Sequence, residues 1–376
     1  MLLLDVHTRE FRNLLEQDVS LGPHTTVLYG PNGQGKTNFL EACYLLCTLR
    51  PLRAQKLREL VRIGSELPAL VRGRFELPSG VREVEVEIGR EGREARVDKK
   101  PVRDPDELFG GLATVAFTPD DLLLVKGGPE GRRRLLDRAV QNRHPAHLAD
   151  AREYGRALRA RNELLRQNAA PALLESFDEP LARLGAKVRA RREQVLEEIR
   201  PHAQRAFAEV ARSEAPLSLE YLAAGRDSDQ LGEGGASLEA RLLAALHRRL
   251  PRDRERGYTS VGPQADDLGL SLGEQAARAY ASQGQSRAVV LAFKIGEIET
   301  LRRAQGRAPL LLLDDVSSEL DPARNAYLMA YLAGLDGQVV LTTTDPKLVA
   351  NGAAKEAIFQ RVERGRLTRE NPVFPE

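Results

Sequence analysis

The chain has 376 residues, 42% of them apolar and 29% charged, which is enough apolar content for a real core and excludes a disordered chain. Net charge is 56 − 54 = +2, so any basic surface must be local rather than global. Two cysteines, Cys43 and Cys47, exclude a disulfide framework, the N-terminus meets Asp5 too soon for a signal peptide, and no run approaches the roughly 18 apolar residues of a membrane span. A cytoplasmic protein without membrane contact is expected.

Segments 2–11 and 14–21 read as strands with Arg12-Asn13 in the turn, and Thr25-Thr26-Val27-Leu28-Tyr29 as a short buried strand. Gly30-Pro31-Asn32-Gly33-Gln34-Gly35-Lys36-Thr37 then fits G-x-x-x-x-G-K-[ST], the phosphate-binding loop or Walker A. Asn38-Phe39-Leu40-Glu41-Ala42-Cys43-Tyr44-Leu45-Leu46 spaces its apolar residues as a helix does. Strand, glycine loop and helix are the context the motif needs. The glycines let successive N–H groups face phosphate oxygens, and the helix start adds partial positive charge. In that role Lys36 would reach the β- and γ-phosphates and Thr37 would hold Mg²⁺.

Residues 51–68 are mixed and basic; 70–77 and 81–88 flank Pro78-Ser79-Gly80 and predict a hairpin, with Val84, Val86 and Ile88 inward. A strand at 112–117 is closed by Thr118-Pro119-Asp120. From Gly127-Gly128-Pro129 to about Arg256 the text turns rich in Arg, Ala, Leu and Glu. Its periodicity predicts helices at 130–143, 145–168, 172–199, 201–212 and 237–250. Pro129 and Pro145 suit first turns, and Pro201 restarts or kinks a helix. A lone strand is expected at 217–222 and a loop at 225–235. After Gly257 the α/β pattern returns: a strand at 268–272, a helix at 286–303, Leu310-Leu311-Leu312-Leu313 as a strand buried on both faces, a helix at 323–333, a strand at 338–343 and a terminal hairpin from 357.

Leu310 to Asp315 is a Walker B pattern. The strand delivers Asp314 to its carboxyl end, where it can hold Mg²⁺, and Asp315 sits where a general base would polarise water. Ser282-Gln283-Gly284-Gln285 stand at a helix start, where backbone and hydroxyl can close on a γ-phosphate. The informative feature is the order: Walker A, S-x-G-Q, Walker B, then Ser318-Glu319-Leu320-Asp321. Because the phosphate loop and Asp314 must meet, 1–125 and 260–376 are expected to fold together as an α/β head, with a helical arm inserted at 126–259.

On these residues the sequence resembles the ABC-type ATPases of the SMC and Rad50 class, and among them the bacterial recombination mediators. The likeness covers essentially the whole chain. It is also carried by Phe11-Arg12-Asn13, Phe117-Thr118-Pro119-Asp120-Asp121-Leu122, Lys126-Gly127-Gly128-Pro129, Arg132-Arg133-Arg134 and Gly262-Pro263-Gln264-Ala265-Asp266-Asp267-Leu268. It implies an ABC-type P-loop ATPase head, a mixed sheet with flanking helices, bearing an inserted α-helical arm. It implies ATP and Mg²⁺ as cofactors, with ATP contacts from Gly30, Pro31, Asn32, Gly33, Gln34, Gly35, Lys36, Thr37 and Asn38, and from Arg12 and Asn13. Thr37 and Asp314 would ligate the metal, and Asp314 and Asp315 would be catalytic. Ser282, Gln283, Gly284 and Gln285 would form a signature acting in trans, with Ser318 and Asp321 as the D-loop. The resemblance further implies an ATP-driven head-to-tail homodimer with weak ATPase activity that binds DNA at single-strand gaps or junctions. RecR and RecO would be its partners, and RecA loading its output. Three departures stand out: Gln264-Ala265 replaces His-Arg, no switch histidine follows Thr344, and no Q-loop glutamine is identifiable.

Local charge adds an independent hint. Residues 131–166 hold ten Arg against four Asp or Glu, 10 − 4 = +6, and Arg152, Arg156 and Arg159 fall near one helix face as candidate DNA contacts. The competing reading is a solvated arginine-rich helix. Three rivals share part of the pattern. The ATPase subunit of a membrane transporter is disfavoured by the insertion and the missing histidine. A long-armed chromosome-organising protein needs more than the roughly 90 Å that about 60 helical residues per arm can span. A scaffold that binds nucleotide without turnover is separable by a hydrolysis assay.

Overall fold

The computed structural model describes residues 1–53, 56–89, 92–102, 112–211, 215–225, 237–350 and 357–372. The loop expected at 225–235 lies, beyond Gly225, outside them.

Period-two patterning in the N-terminal part builds an antiparallel sheet. β1 (Leu2–Arg9), β2 (Gln17–Ser20), β4 (Ala69–Leu77), β5 (Gly80–Ile88), β6 (Arg93–Val97) and β7 (Lys100–Pro101) run in the order β2-β1-β4-β5-β6-β7. Val84, Val86 and Ile88 are buried, as the hairpin pattern requires. The first two strands are shorter than their apolar content suggests, because Glu10 and Arg12 take positive φ (50° and 53°) and turn the chain early.

β3 (Thr25–Tyr29) leaves this sheet for a second one. It joins β8 (Thr114–Phe117), β12 (Leu310–Asp314), β13 (Val339–Thr343), β14 (Ile358–Glu363) and β15 (Arg366–Arg369) in the order β15-β14-β3-β13-β12-β8. All neighbours are parallel except β14 and β15. Strands from both ends of the chain interleave, as the meeting of the two Walker motifs demands. The continuous apolar runs are explained by two cores. Leu311, Leu313, Val339 and Leu341 face one; Leu310, Leu312, Val340 and Leu28 face the other, on the side of α1 (Lys36–Thr48). α1 is apolar almost all round because it lies inside this second core, where Cys43 and Cys47 are fully buried free thiols.

The middle of the chain is helical: α2 (Pro129–Arg143), α3 (His147–Arg166), α4 (Pro171–Ala211) and α5 (Leu238–Arg256). Pro129 opens α2, but Pro145 lies ahead of α3, whose cap is Ala146. Pro201 does not divide the helices expected at 172–199 and 201–212: α4 runs through both Pro180 and Pro201. Around Pro201 the helix is held from outside. Ile199 and Ala203 press on Gly296 of α7 (Gln283–Gln305), after the short α6 (Ala277–Tyr280), and a Cβ on Gly296 would sit 3.0 Å from Ala203. The strand expected alone at 217–222 is not alone. β9 (Leu217–Leu222) pairs antiparallel with β10 (Asp267–Leu272), which also pairs with β11 (Gln275–Ala276). α8 (Val316–Glu319), α9 (Pro322–Ala333) and α10 (Lys347–Ala350) complete the helices used below. A separate small core of Tyr154, Leu181, Leu184, Leu242, Leu246 and Val261 holds α3, α4 and α5 together.

Candidate functional site

The phosphate loop runs from the end of β3 into α1. Gly30, Gly33 and Gly35 have φ of 145°, 78° and 118°, a region that L side chains avoid. Two distant turns clasp the loop. Asn13 Nδ2 donates to Gly33 O (3.2 Å), and Asn13 Oδ1 accepts from Asn38 Nδ2 (2.7 Å). From the β14–β15 turn, Arg364 N donates to Gln34 Oε1 (2.7 Å) and Gly365 N to Gln34 O (2.9 Å). Gly365 has φ 82°, and a Cβ there would run into the Asn13 carbonyl. Pro31 and Asn32 are exposed at the tip. α1 starts at Lys36 with no side-chain cap, so its first-turn N–H groups stay open to an acceptor.

Lys36 Nζ folds back to donate to Gly30 O (2.6 Å) and Pro31 O (2.9 Å). Burial lowers its pKa, with Asp315 and Asp314 opposing. Arg12 reaches α1 rather than the loop, donating to Glu41 Oε2 through Nε (3.0 Å) and Nη2 (2.8 Å). The other Glu41 oxygen accepts from Leu52 N (3.1 Å) and Arg53 N (3.0 Å).

The two Walker motifs meet at Asp314, which is 1% exposed. Thr37 Oγ1 donates to Asp314 Oδ1 at 2.6 Å, and Thr342 Oγ1 donates to the same oxygen at 3.0 Å. The Arg53 guanidinium pairs with Oδ2. Asp315 leaves the strand with φ 50°, and its N–H donates to Thr342 Oγ1 (2.8 Å). Burial raises the Asp315 pKa, with Ser318 and the Lys36 charge opposing. Asp315 Oδ1 is buried without a partner among the described residues. Hard oxygens from Thr37 and Asp314, an unpartnered carboxylate oxygen and open N–H groups together fit a magnesium-bound phosphate chain. Sequence patterns flag none of Arg53, Glu41 or Thr342. The first lies in an unpatterned basic stretch, the second inside a helix, and the third ends a strand whose pattern reports burial alone.

α7 begins one turn earlier than its expected start at 286, with Ser282 as cap. Ser282 Oγ accepts from Gln285 N (3.1 Å), and Gln285 Oε1 accepts from Ser282 N (2.9 Å), a capping box. Ser282 and Gln283 are exposed. Gly284 lies against Arg324, where a Cβ would sit 3.2 Å from Nη1. Arg324 pairs with Asp321, the cap of α9, and Arg287 pairs with Glu319 (3.0 Å). Ser318 Oγ donates to Asp315 O (2.8 Å). The S-x-G-Q start and the 318–321 turn are therefore one unit tied to Walker B. Among the described residues no hydrogen bond or ion pair joins Ser282, Gln283, Gly284 or Gln285 to residues 30–37.

The helical middle of the chain divides its arginines. Arg132 grips Asp267 through two bonds (2.8 and 2.7 Å), and fully buried Arg161 pairs with Asp178 (2.7 Å) and Asp253 (3.3 Å). Arg133, Arg134, Arg138, Arg143 and Arg166 are also engaged, with Asp266 O, Glu130, Asp121, Glu198 and Glu163. Arg152, Arg156 and Arg159 are exposed on α3 with no acidic partner among the described residues. From α4, Arg189 holds Asp266 (2.8 and 2.6 Å) and Arg192 holds Asp137 (2.7 and 2.9 Å). Gln264 closes the turn between them, donating to Thr259 O (3.1 Å) and Val261 O (2.9 Å) and accepting from Tyr154. That is a structural task for one of the two departing residues.

A mixed sheet with a phosphate loop, a Walker B strand and an S-x-G-Q helix defines an ABC-type ATPase head of the SMC kind. A solved Smc head bound to the C-winged helix domain of ScpA matches it with TM-score 0.55 over 98% of this chain and 96% of that one, at 14% identity, which speaks for the fold alone. Residues 2–366 match the family model described as RecF/RecN/SMC N terminal domain. The DNA replication and repair protein RecF of Anaeromyxobacter dehalogenans (strain 2CP-C) is 54% identical over 369 residues, covering 97% of this chain and 98% of that protein. RecF of Myxococcus xanthus (strain DK1622) is 52% identical over 98% of this chain and 97% of that protein. A solved structure of the recombination mediator protein RecF-ATPrS in the RecFOR pathway matches with TM-score 0.87 and 30% identity over 98% of both chains. The chain belongs to the RecF family of DNA replication and repair proteins. Among the described residues no helix is long and apolar enough to cross a membrane.

Proposed function

We propose that the chain is an ATP-gated, DNA-binding homodimer of recombinational repair, with slow magnesium-dependent ATP hydrolysis as its switch. The observation that carries this reading is the 2.6 Å bond from Thr37 to Asp314, which unites motifs 277 residues apart. The similar solved RecF-ATPrS and RecF-ATP structures support the ligand, and their RecFOR setting supports RecR and RecO as partners; RecA loading is the output this reading assigns.

In this reading the N–H groups of 30–37 wrap the β- and γ-phosphates, and Lys36 leaves the Gly30 and Pro31 carbonyls for them. Thr37, through its hydroxyl, and Asp314, through its carboxylate, would hold magnesium. Magnesium supplies neutralisation of phosphate charge. Asn13 and Asn38 brace the loop, and Arg12 acts through Glu41. Asp315 orients water; it is one methylene shorter than glutamate and no histidine follows Thr344, so turnover falls well below the ~10 s⁻¹ typical of enzymes. Ser282 to Gln285, with Ser318 and Asp321, form an exposed unit that completes the partner's site, giving two sandwiches in a two-fold dimer. ATP then drives dimerisation, and dimerisation tightens ATP. Arg152, Arg156 and Arg159 contact DNA phosphates. The division into a head (1–125 and 260–376) and an arm (126–259) is part of the proposal. The separate arm core supports it, although the second half of α4 and β9 pack into the head core.

Sedimentation with and without ATP, then with short duplex and single-stranded DNA, tests the reading. A chain that stays monomeric with saturating ATP overturns it. Ser282→Arg should bind ATP as a monomer yet fail to dimerise and fail to hold DNA; loss of ATP binding by that monomer would place the signature within its own chain's site.

A further inference from the structure

Gly284 stands in the first turn of α7, after the cap Ser282 and the first helical residue Gln283. Its φ lies outside the positive range that calls for glycine. Inside a helix glycine is less favourable than alanine, so the backbone gives no reason for it here. The neighbours do. The three nearest atoms that a Cβ on Gly284 would meet all belong to one side chain: Nη1, Nη2 and Cζ of Arg324, at 3.2, 3.5 and 3.6 Å. The guanidinium reaching over from α9 lies across the start of α7, against the space that a methyl group would fill.

Arg324 is held from its own side as well. Nη1 pairs with Asp321, whose other carboxylate oxygen accepts from Arg324 N (3.1 Å) and caps α9. The side chain is 20% exposed, and Nε is buried with no partner among the described residues. A buried donor without an acceptor costs stability, so the placement is not explained by what it adds to the fold. Arg287 and Glu319 (3.0 Å) join the same two stretches, but they are 36% and 35% exposed, and a pair so open to water holds weakly by itself.

We propose that Arg324 is a positioning residue for the ATP-driven pairing of heads. Through Asp321 and Gly284 it sets the 318–321 turn against the first turn of α7, so that both stretches meet a partner in one fixed arrangement. Residue 284 is glycine in order to admit this guanidinium. The inference rests on the reading of Ser282 to Gln285 as the surface that completes a partner's site; the contact itself belongs to the single chain.

The test uses the full chain with Arg324→Ala, Gly284→Ala and the two combined. In thermal melting Gly284→Ala should stand at or above the parent, and Arg324→Ala close to it. Amide exchange of the nucleotide-free chain is the first readout of position. Gln285 N and Ser286 N, which bond to Ser282 Oγ and O (3.1 and 2.9 Å), should exchange faster in Arg324→Ala. ATP-driven dimerisation, followed by sedimentation, is the second. Arg324→Ala should weaken it roughly tenfold and Gly284→Ala several-fold, yet Gly284→Ala should cost nothing further once Arg324 is replaced. If Gly284→Ala changes dimerisation equally in both backgrounds, by nothing or by much, the glycine does not serve the guanidinium and the proposal is overturned with the pairing reading intact. If Arg324→Ala leaves exchange or dimerisation as in the parent, or melts far below it, Arg324 is dispensable or merely structural and the proposal fails. If the parent stays monomeric with ATP while Arg324→Ala still frees those amides, the pairing reading falls and takes the role in pairing with it, while the hold of Arg324 on α7 stands.

Discussion

Arg159 and Arg161 stand two residues apart on one helix and do opposite things. Arg161 is fully buried between Asp178, Asp253 and Thr259, carboxylates and hydroxyl drawn from α4, α5 and the segment after α5. Arg159 is exposed and has no acidic partner among the described residues. The same split runs through the helical middle of the chain. Arg132, Arg189 and Arg192 lock the 262–267 turn to α2 and α4, while Arg152, Arg156 and Arg159 line open surface. Charge density in a sequence therefore counts two populations at once. One is consumed in ion pairs that tie α2, α3, α4, α5 and the 262–267 turn to one another, and only the remainder is available to a polyanion.

The largest expected effect comes from emptying the buried population. Arg161→Ala leaves two buried carboxylates without their cation and should cost about 3–5 kcal/mol in urea unfolding. Arg156→Ala should stay within about 0.5 kcal/mol. Similar losses for the two would erase the distinction.

Lys36 is an intermediate case, a buried cation held by two carbonyls and no carboxylate. Lys36→Met should spare the fold but remove charge-assisted bonds of about 1.5–3 kcal/mol, a roughly 10- to 100-fold loss of ATP affinity by calorimetry, and ATP-dependent DNA binding with it. Unchanged affinity would detach Lys36 from the phosphates.

Acid probes these ion pairs from the carboxylate side. Burial works against ionised Asp137, yet His147 and Arg192 hold its pKa down at about 2, below its ordinary 3.8. A depressed carboxylate contributes stability that is present above about pH 4 and lost as pH falls towards 2, on the order of 2 kcal/mol. Asp137→Asn should flatten that part of the stability profile; an unaltered acid limb would mean the pair does little to hold α2, α3 and α4 together.

The smallest effect on the fold, and the most selective one, belongs to the open row. Replacing Arg152, Arg156 and Arg159 by Ala should leave ATP binding and melting unchanged. The salt slope of DNA binding should fall by about 0.9 for each phosphate that is no longer neutralised. An unchanged slope would return the row to plain solvated surface.

What the sequence disclosed follows the same division. The phosphate loop, the Walker B strand and the S-x-G-Q start were legible because each needs fixed residues at fixed local spacing. The interleaved second sheet was legible in outline, since runs such as Leu310 to Leu313 only suit a strand between two cores. Partnerships across the chain were not. Nothing local distinguishes Arg161 from Arg159, marks Arg53 as the counter-ion of Asp314, or pairs Leu217 with Leu272. Proline was misleading at 201 because its helix-breaking tendency is a local penalty, here outweighed by packing of Ile199 and Ala203 on Gly296.

The clasp on the phosphate loop also sets an order in time. Gln34 leaves the ribosome early, but the Arg364 N–H that it accepts from arrives 330 residues later. At about 5–20 residues per second, that interval is roughly 15–65 s of synthesis. Until the β14–β15 turn emerges, the glycines of the loop keep their unfolded freedom and Asn13 braces it from one side only. Throughout that interval the nascent chain carries its nucleotide loop unfinished. On the proposed reading, competence to hold the triphosphate, and with it any pairing of heads, therefore waits for the β14–β15 turn.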